Sequence, residues 1–179
     1  SYFKKGLSFE GNTDQILFGK NPRLKDEFNR LFNAIFGNPE DCKKIVRLLA
    51  KRHIGYTREE IAQKTGLPLG GGLTDILSAL IESDFVLRYT PYGKPGNVEY
   101  YKLIDNFCLF WLKHVEPNHS AISFMSDHIT SDIMKSWRGV AFEEVCWQHI
   151  AQVKRALEIG GVRSSLSAWS VKGDDTKEG

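Results

Sequence analysis

The run Gly70-Gly71-Gly72, followed by Leu73 and Thr74, has the residue types of this sequence that come closest to a phosphate-binding loop. Such a loop works because glycines let backbone N–H groups close around an anion. A lysine and a hydroxyl at the helix entry complete the cradle, in the spacing GxxxxGK[ST]. Here no lysine occurs between residues 65 and 87, and no buried strand is expected ahead of the glycines. They read instead as an unhindered turn between two helices. No other catalytic pattern is legible. The histidines at 53, 114, 119, 128 and 149 are scattered, and neither Ser–His–Asp, Cys–His nor HExxH spacing occurs. Glu10 and Asp14 lack a nucleophile or base at a readable spacing. Cys42, Cys108 and Cys146 form no CxxC pair, so neither a zinc ribbon nor a disulfide framework is supported. Cys146 and His149 lie three apart without a second pair, which reads as core packing rather than a metal site. No cofactor or metal site is expected in this chain.

Chemistry of a different kind lies in the charges. Lys43, Lys44, Arg47, Lys51 and Arg52 form the densest basic cluster of the sequence. Arg88 and Lys94 add positive charge further on. The helix expected over 73–83 turns Leu73, Ile76, Leu77, Leu80 and Ile81 inward, and Thr74, Asp75, Ser78, Ala79 and Glu82 outward, with Asp84 just beyond. Thr74 and Ser78 can touch base edges, whereas the acids repel phosphates within a Debye length. Two readings stand: duplex DNA bound through the basic residues, or contact with another protein. The whole chain, 179 residues with a formal charge of +2, is only mildly basic, so charge does not by itself announce a nucleic-acid binder.

These residues need elements to position them. With 41% hydrophobic and 26% charged residues the composition is that of a globular chain with an ample core. Residues 1–20 show little periodicity and read as mostly irregular. Asn21-Pro22 opens a helix with Leu24, Phe28, Leu31, Phe32 and Ile35 on one face, and Gly37 closes it. Asn38-Pro39 opens a second helix in the same manner, with Cys42, Ile45, Val46, Leu48 and Leu49 inward. Thr57-Arg58-Glu59-Glu60 is a capping box that starts a third, stopped by Gly66. The helix from Leu73 to Ser83 follows. Phe85–Thr90 and Val98–Leu103 then read as the strands of a β-hairpin. Asp105 caps a helix over 107–115 that is apolar nearly all round and expected to be buried. After a less regular stretch over 118–136, Phe142, Val145, Cys146, His149, Val153 and Leu157 set the inward face of a long helix. Gly160-Gly161 end it, and residues 162–171 alternate like an edge strand. No apolar run reaches the roughly 20 residues of a membrane span, and the start lacks a signal peptide. With three free thiols, a cytoplasmic location is expected.

Helices at 39–52, 57–65 and 73–83 followed by a hairpin are the order of a winged helix-turn-helix. The segments TREEIAQKTGL, GGGLTDILSALIESDFVLRYTPYGK and YYKLIDNFCLFW resemble the winged-helix segment of the archaeal-type AAA+ ATPases, a prokaryotic family found in archaea and in Bacteroides-like bacteria. WRGVAFEEVCWQHIAQVKRALEIGGVRSSLSAW resembles the start of the C-terminal domain in the same family, which is similar to PD-(D/E)xK restriction-endonuclease folds. NPRLKDEFNRLFNAIFGNPE matches the helix that follows the ATPase lid. The resemblance implies an α+β, mostly helical chain, a winged helix-turn-helix followed by a truncated restriction-endonuclease-like helix and strand. Its divisions would be 1–36, an irregular start and linking helix; 37–105, the winged helix; 106–136, a buried helix and connector; and 137–179, the start of the nuclease-like domain.

The family's GxxFE motif is matched by Gly139-Val140-Ala141-Phe142-Glu143, which implies Glu143 as a nuclease-like carboxylate. The alternative for Glu143 is a glutamate that only stabilises its helix dipole. The family's P-loop domain and its remaining metal carboxylates have no counterpart here. The chain is therefore expected to be a non-catalytic segment, with ATP and Mg belonging to a longer parent. Its expected partners are duplex DNA, or its own ATPase domain or another protein, and no membrane.

Overall fold

The computed structural model describes residues 2–93 and 98–163. The fold is α+β. In chain order it runs α1 (Phe9–Leu17), α2 (Glu27–Ile35), α3 (Pro39–Leu49), α4 (Arg58–Thr65), α5 (Gly71–Glu82), β1 (Val86–Tyr89) and β2 (Tyr100–Leu103). It continues as α6 (Asn106–Phe110), a π-helical turn (Trp111–Val115), α7 (Phe124–His128), α8 (Asp132–Gln148) and α9 (Ile150–Ala156). The chain divides into two compact units. One is Glu40–Ile104, continuous but for Arg163 among the described residues; the other is discontinuous, Ser1–Pro39 with Asp105–Val162.

In the continuous unit, α3 opens at Pro39, where a missing N–H costs nothing, and buries Cys42, Ile45, Val46, Leu48 and Leu49. The chain then turns sharply at Gly55, φ 75°. A Cβ there would stand 2.0 Å from the Tyr101 carbonyl oxygen, so no other residue fits without moving backbone. The approach lets Tyr56 and Tyr101 exchange two backbone hydrogen bonds, 3.0 and 2.8 Å, as an antiparallel bridge. The capping box is present in full: the Thr57 hydroxyl accepts from the Glu60 amide, and Glu60 accepts from the Thr57 amide. α4 ends on Gly66 in the left-handed conformation. β1 and β2 pair antiparallel from Val86↔Leu103 to Tyr89↔Tyr100. Ile45, Leu49, Ile61, Leu77, Leu80 and Leu103 are all but completely buried and make the core.

The triple glycine does not behave as the sequence suggests. None of Gly70, Gly71 and Gly72 has a positive φ, and a Cβ on any of them would meet nothing within 4 Å. The left-handed step of the turn falls on Gly66. α5 begins two residues earlier than expected and runs through two of these glycines.

The discontinuous unit is held by polar side chains as much as by apolar ones. α1 occupies the stretch expected to be irregular. Ser8 caps it by accepting from the Gly11 amide, and the Asn12 amide donates to the carbonyls of Lys4, Leu7 and Ser8. Asp14 is buried and accepts from Met125 N (2.7 Å), Ser126 N (3.0 Å) and Ser126 Oγ (2.7 Å), which ties α1 to α7. Phe18 stacks on Phe124 with ring centres 4.8 Å apart. His114 lies among Phe110, Phe124 and Trp137.

Three expected helices differ. The first opens at Glu27 rather than Asn21, because residues 22–27 form turns, Lys25 N to Pro22 O and Glu27 N to Leu24 O. Asp105 caps α6 as expected, at 2.6 Å from Cys108 N, but the helix widens into the π turn, where Glu116 N reaches Trp111 O. The long C-terminal helix starts earlier and breaks at His149, and its buried side is not the one expected. Met134 and Glu144 are buried and Trp137 half-buried, at a spacing of three and seven. Phe142 is 70% exposed and Leu157 62% exposed, with Val145 and Val153 also at the surface. The pattern marks an apolar face, and the helix turns a different one inward. Residues 164–171 of the expected edge strand, and 94–97 of the hairpin loop, lie outside the described residues.

Two glycine substitutions are expected to act in opposite directions. Gly55→Ala should destabilise the chain by about 3 kcal/mol, through left-handed strain and collision with Tyr101. Gly72→Ala should stabilise it by about 0.5 to 1 kcal/mol, since the position is helical and open. Urea denaturation of both variants decides, and equal midpoints would contradict the assignment. A second expectation concerns His114, whose pKa is lowered by burial and then by Lys113. The unfolded chain takes up the proton more readily, so this contribution is complete above about pH 6.5 and declines as pH falls below it. His114→Phe should flatten the fall of stability just below that pH; an unchanged profile would remove His114 as its source.

Candidate nucleic-acid interface

The residues expected to meet DNA fall mainly on α3, α5 and the hairpin. On α3, Lys43 is largely buried and pairs with Glu40, and Lys44 pairs with Asp41 at 2.9 Å. Arg47 is half-buried and Lys51 exposed. Arg52 is the most heavily engaged. Its guanidinium meets Glu60 at 2.7 and 3.3 Å, donates through Nε to the Gly55 carbonyl, and lies over the Tyr56 ring at 4.0 Å. Burial opposes ionisation of Glu60, but the Thr57 amide and Arg52 hold its carboxyl below the usual range. Arg88 on β1 faces Glu99 at 3.7 Å. Lys94 lies outside the described residues. The basic cluster of the sequence is thus mostly a set of neighbouring ion pairs, each formed with an acid three residues away or across a turn.

Thr74 and Ser78 are exposed on α5, as expected. What sequence reasoning missed is Arg58, at the start of α4. Its Nη2 donates to the Gly70 carbonyl and to the Thr74 hydroxyl, both at 2.8 Å. A guanidinium therefore stands at the entry of a helix that carries no base of its own. Nothing local marks it, because the two positions are 16 residues apart. Beside it, α5 starts without a side-chain cap and without an acid in its first turn. Ordinary helix starts favour anions.

Elsewhere, Glu143 is exposed on α8 and accepts from the Trp147 indole N–H at 3.4 Å. Its neighbour Glu144 is, among the described residues, a carboxylate fully removed from solvent. Lys102 on β2 is likewise buried, with Nζ 3.5 Å from His53 Nε2. Neither could be singled out from the sequence, where both sit in ordinary polar contexts. The Cys42 and Cys108 thiols are not poised nucleophiles. Burial, with Asp41 behind it, pushes Cys42 up to about 11, and burial raises Cys108 as well. His149 is exposed beside the half-buried Cys146, and its Nδ1 lies 3.0 Å from the Val145 carbonyl.

No family profile and no solved structure matches this chain. It is similar to an uncharacterized protein of the archaeon Methanocaldococcus jannaschii, MJECL04. The two are 28% identical over 160 residues, which cover 85% of this chain and 35% of the archaeal protein. The chain spans little more than a third of that relative's length, so the matched stretch is there part of a much larger polypeptide.

Proposed function

We propose that this chain belongs to the C-terminal region of an archaeal-type AAA+ ATPase. In this reading residues 40–104 act as a winged helix-turn-helix that contacts protein rather than reading DNA. The order of elements supports the first half: helix α3, the Tyr56 bridge, helices α4 and α5, then the hairpin whose second strand takes the bridge. A relative much longer than this chain is in keeping with a segment of a multidomain protein. The observation that carries the second half is the pairing of the basic residues. Lys43, Lys44, Arg52 and Arg88 each face a carboxylate, and the outer face of α5 carries Asp75 and Glu82. A phosphate backbone would have to displace those acids before it gained a cation. In this reading the segment carries no catalysis of its own, and nucleotide and magnesium belong to the parent's ATPase domain.

A second reading, DNA binding, is favoured by Arg58 beside the uncapped start of α5. Fluorescence anisotropy with a labelled duplex separates the two. We expect no saturable binding at about 50 mM salt. Binding that weakens steeply toward about 200 mM, and that Arg58→Ala weakens further, would overturn the protein-contact reading in favour of DNA. MgATP is expected to leave the melting temperature of the chain unchanged, and an upward shift would place a nucleotide site within it.

A further inference from the structure

The buried side chain of Asn12 spends its hydrogen bonds on the chain just ahead of it. Its Oδ1 accepts from the Lys4 amide at 2.6 Å, and its Nδ2 donates to the carbonyls of Lys4, Leu7 and Ser8 at 3.0 to 3.2 Å. Between them the chain turns at Gly6, φ 90°. The residues on either side of this pinned loop are aromatic, and they face outward. Tyr2 is 57%, Phe3 53% and Phe9 59% exposed, and the Phe3 and Phe9 rings meet with centres 6.3 Å apart. Rings are usually fixed in place by being buried. These are fixed in the open, so no ordering has to accompany the binding of a ligand to them.

The charges around them are of one sign. Residues 1–25 hold five lysines and arginines against two acids, whereas the rest of the chain holds nineteen against twenty, so its positive excess resides here. Of the two acids, Asp14 is buried on the amides of α7 and Glu10 belongs to the first turn of α1. Lys4, Lys5 and Arg23 are exposed, and among the described residues none of the three enters an ion pair, unlike Lys43 and Lys44 of α3. The Arg23 guanidinium lies over the Tyr2 ring, 5.6 Å from its centre. Tyr2, Lys4 and Arg23 line one cleft of about 250 Å3 with the side-chain amides of Gln15 and Asn21, and among the described residues its lining holds no carboxylate. Open rings interleaved with cations suit an anion that brings flat π-faces of its own. A duplex keeps those faces stacked inside. A lipid surface is met by an apolar face set apart from its charges, whereas Lys4 and Lys5 stand between Phe3 and Leu7. We propose that this loop and cleft bind single-stranded nucleic acid. Bases stack on Phe3 and Phe9, and phosphates meet Lys4, Lys5 and Arg23. The site is independent of the winged-helix reading, since every residue in it belongs to the other unit.

The test is fluorescence anisotropy with labelled oligothymidylate and oligouridylate of about 15 nucleotides, set against a labelled duplex. We expect saturable binding of a single strand at about 50 mM salt, with a Kd on the order of 10 µM, and none of the duplex. The tighter of the two strands tells DNA from RNA as the source. Log affinity should fall against log salt with a slope of about −2, as three phosphate contacts on a single strand require. The double variant F3A/F9A should bind about tenfold more weakly, and R23Q should reduce the slope by about 0.7. R58A should change neither, which separates this site from the winged helix. Both phenylalanines are exposed, and circular dichroism reports whether the variant is folded. The comparison of single strand with duplex needs no variant at all. Absence of saturable binding by either strand, equal affinity for strand and duplex, an unchanged affinity in folded F3A/F9A, or binding confined to phosphatidylglycerol vesicles would each overturn the proposal.

Discussion

The contact between Gly55 and the carbonyl of Tyr101 organises the continuous unit. Only a residue without a side chain brings the end of α3 so close to β2. Once there, Tyr56 pairs with Tyr101, and the Tyr89 hydroxyl reaches the Ile54 carbonyl at 2.7 Å. Arg52 folds back on Gly55 and grips Glu60, which also serves the capping box of α4. From the start of α4, Arg58 holds the start of α5. An unbroken series of short polar links therefore runs from α3 to the hairpin around an apolar core. The shared members, Arg52 and Glu60, satisfy structural donors and acceptors, which is why they are poor candidates for reaching a ligand.

How much of this could be read in the sequence depends on whether the signal is local. The capping box at Thr57, the cap at Asp105, the Pro39 helix start and the hairpin strands are written within four or five residues, and each stands where the pattern puts it. α1 was illegible because its apolar spacing is weak, and Asn12 and Asp14 hold it through side-chain bonds that no periodicity registers. The C-terminal helix shows the opposite failure. Its apolar stripe is clear, yet α8 buries Met134 and Glu144 instead, so a strong pattern named a face without naming what lies against it.

The candidate sites divide along the same line. Lysines and arginines are conspicuous in a sequence, but their partners are not, and the acids that neutralise Lys43, Lys44, Arg52 and Arg88 appear only once the helices and strands are built. Arg58 drew no notice because its neighbour Thr74 is a distant position in the chain. The π turn at Trp111–Val115 was unreadable for a further reason: its i→i+5 hydrogen bond, Glu116 N to Trp111 O, departs from the helix periodicity that a sequence pattern registers.

The buried Asp14 carries a consequence for the order in which the chain acquires structure. Its donors, Met125 and Ser126, come 111 and 112 residues later. The continuous unit closes its last bridge at Tyr101. During synthesis the N-terminal helices therefore wait, with a carboxylate and the Phe18 ring lacking their native cover, while an entire second unit emerges and becomes able to fold. Closure of the discontinuous unit is then the late event, since it must join residues 111 apart in the chain. That interval is when its apolar surface is open to a chaperone or to another nascent chain.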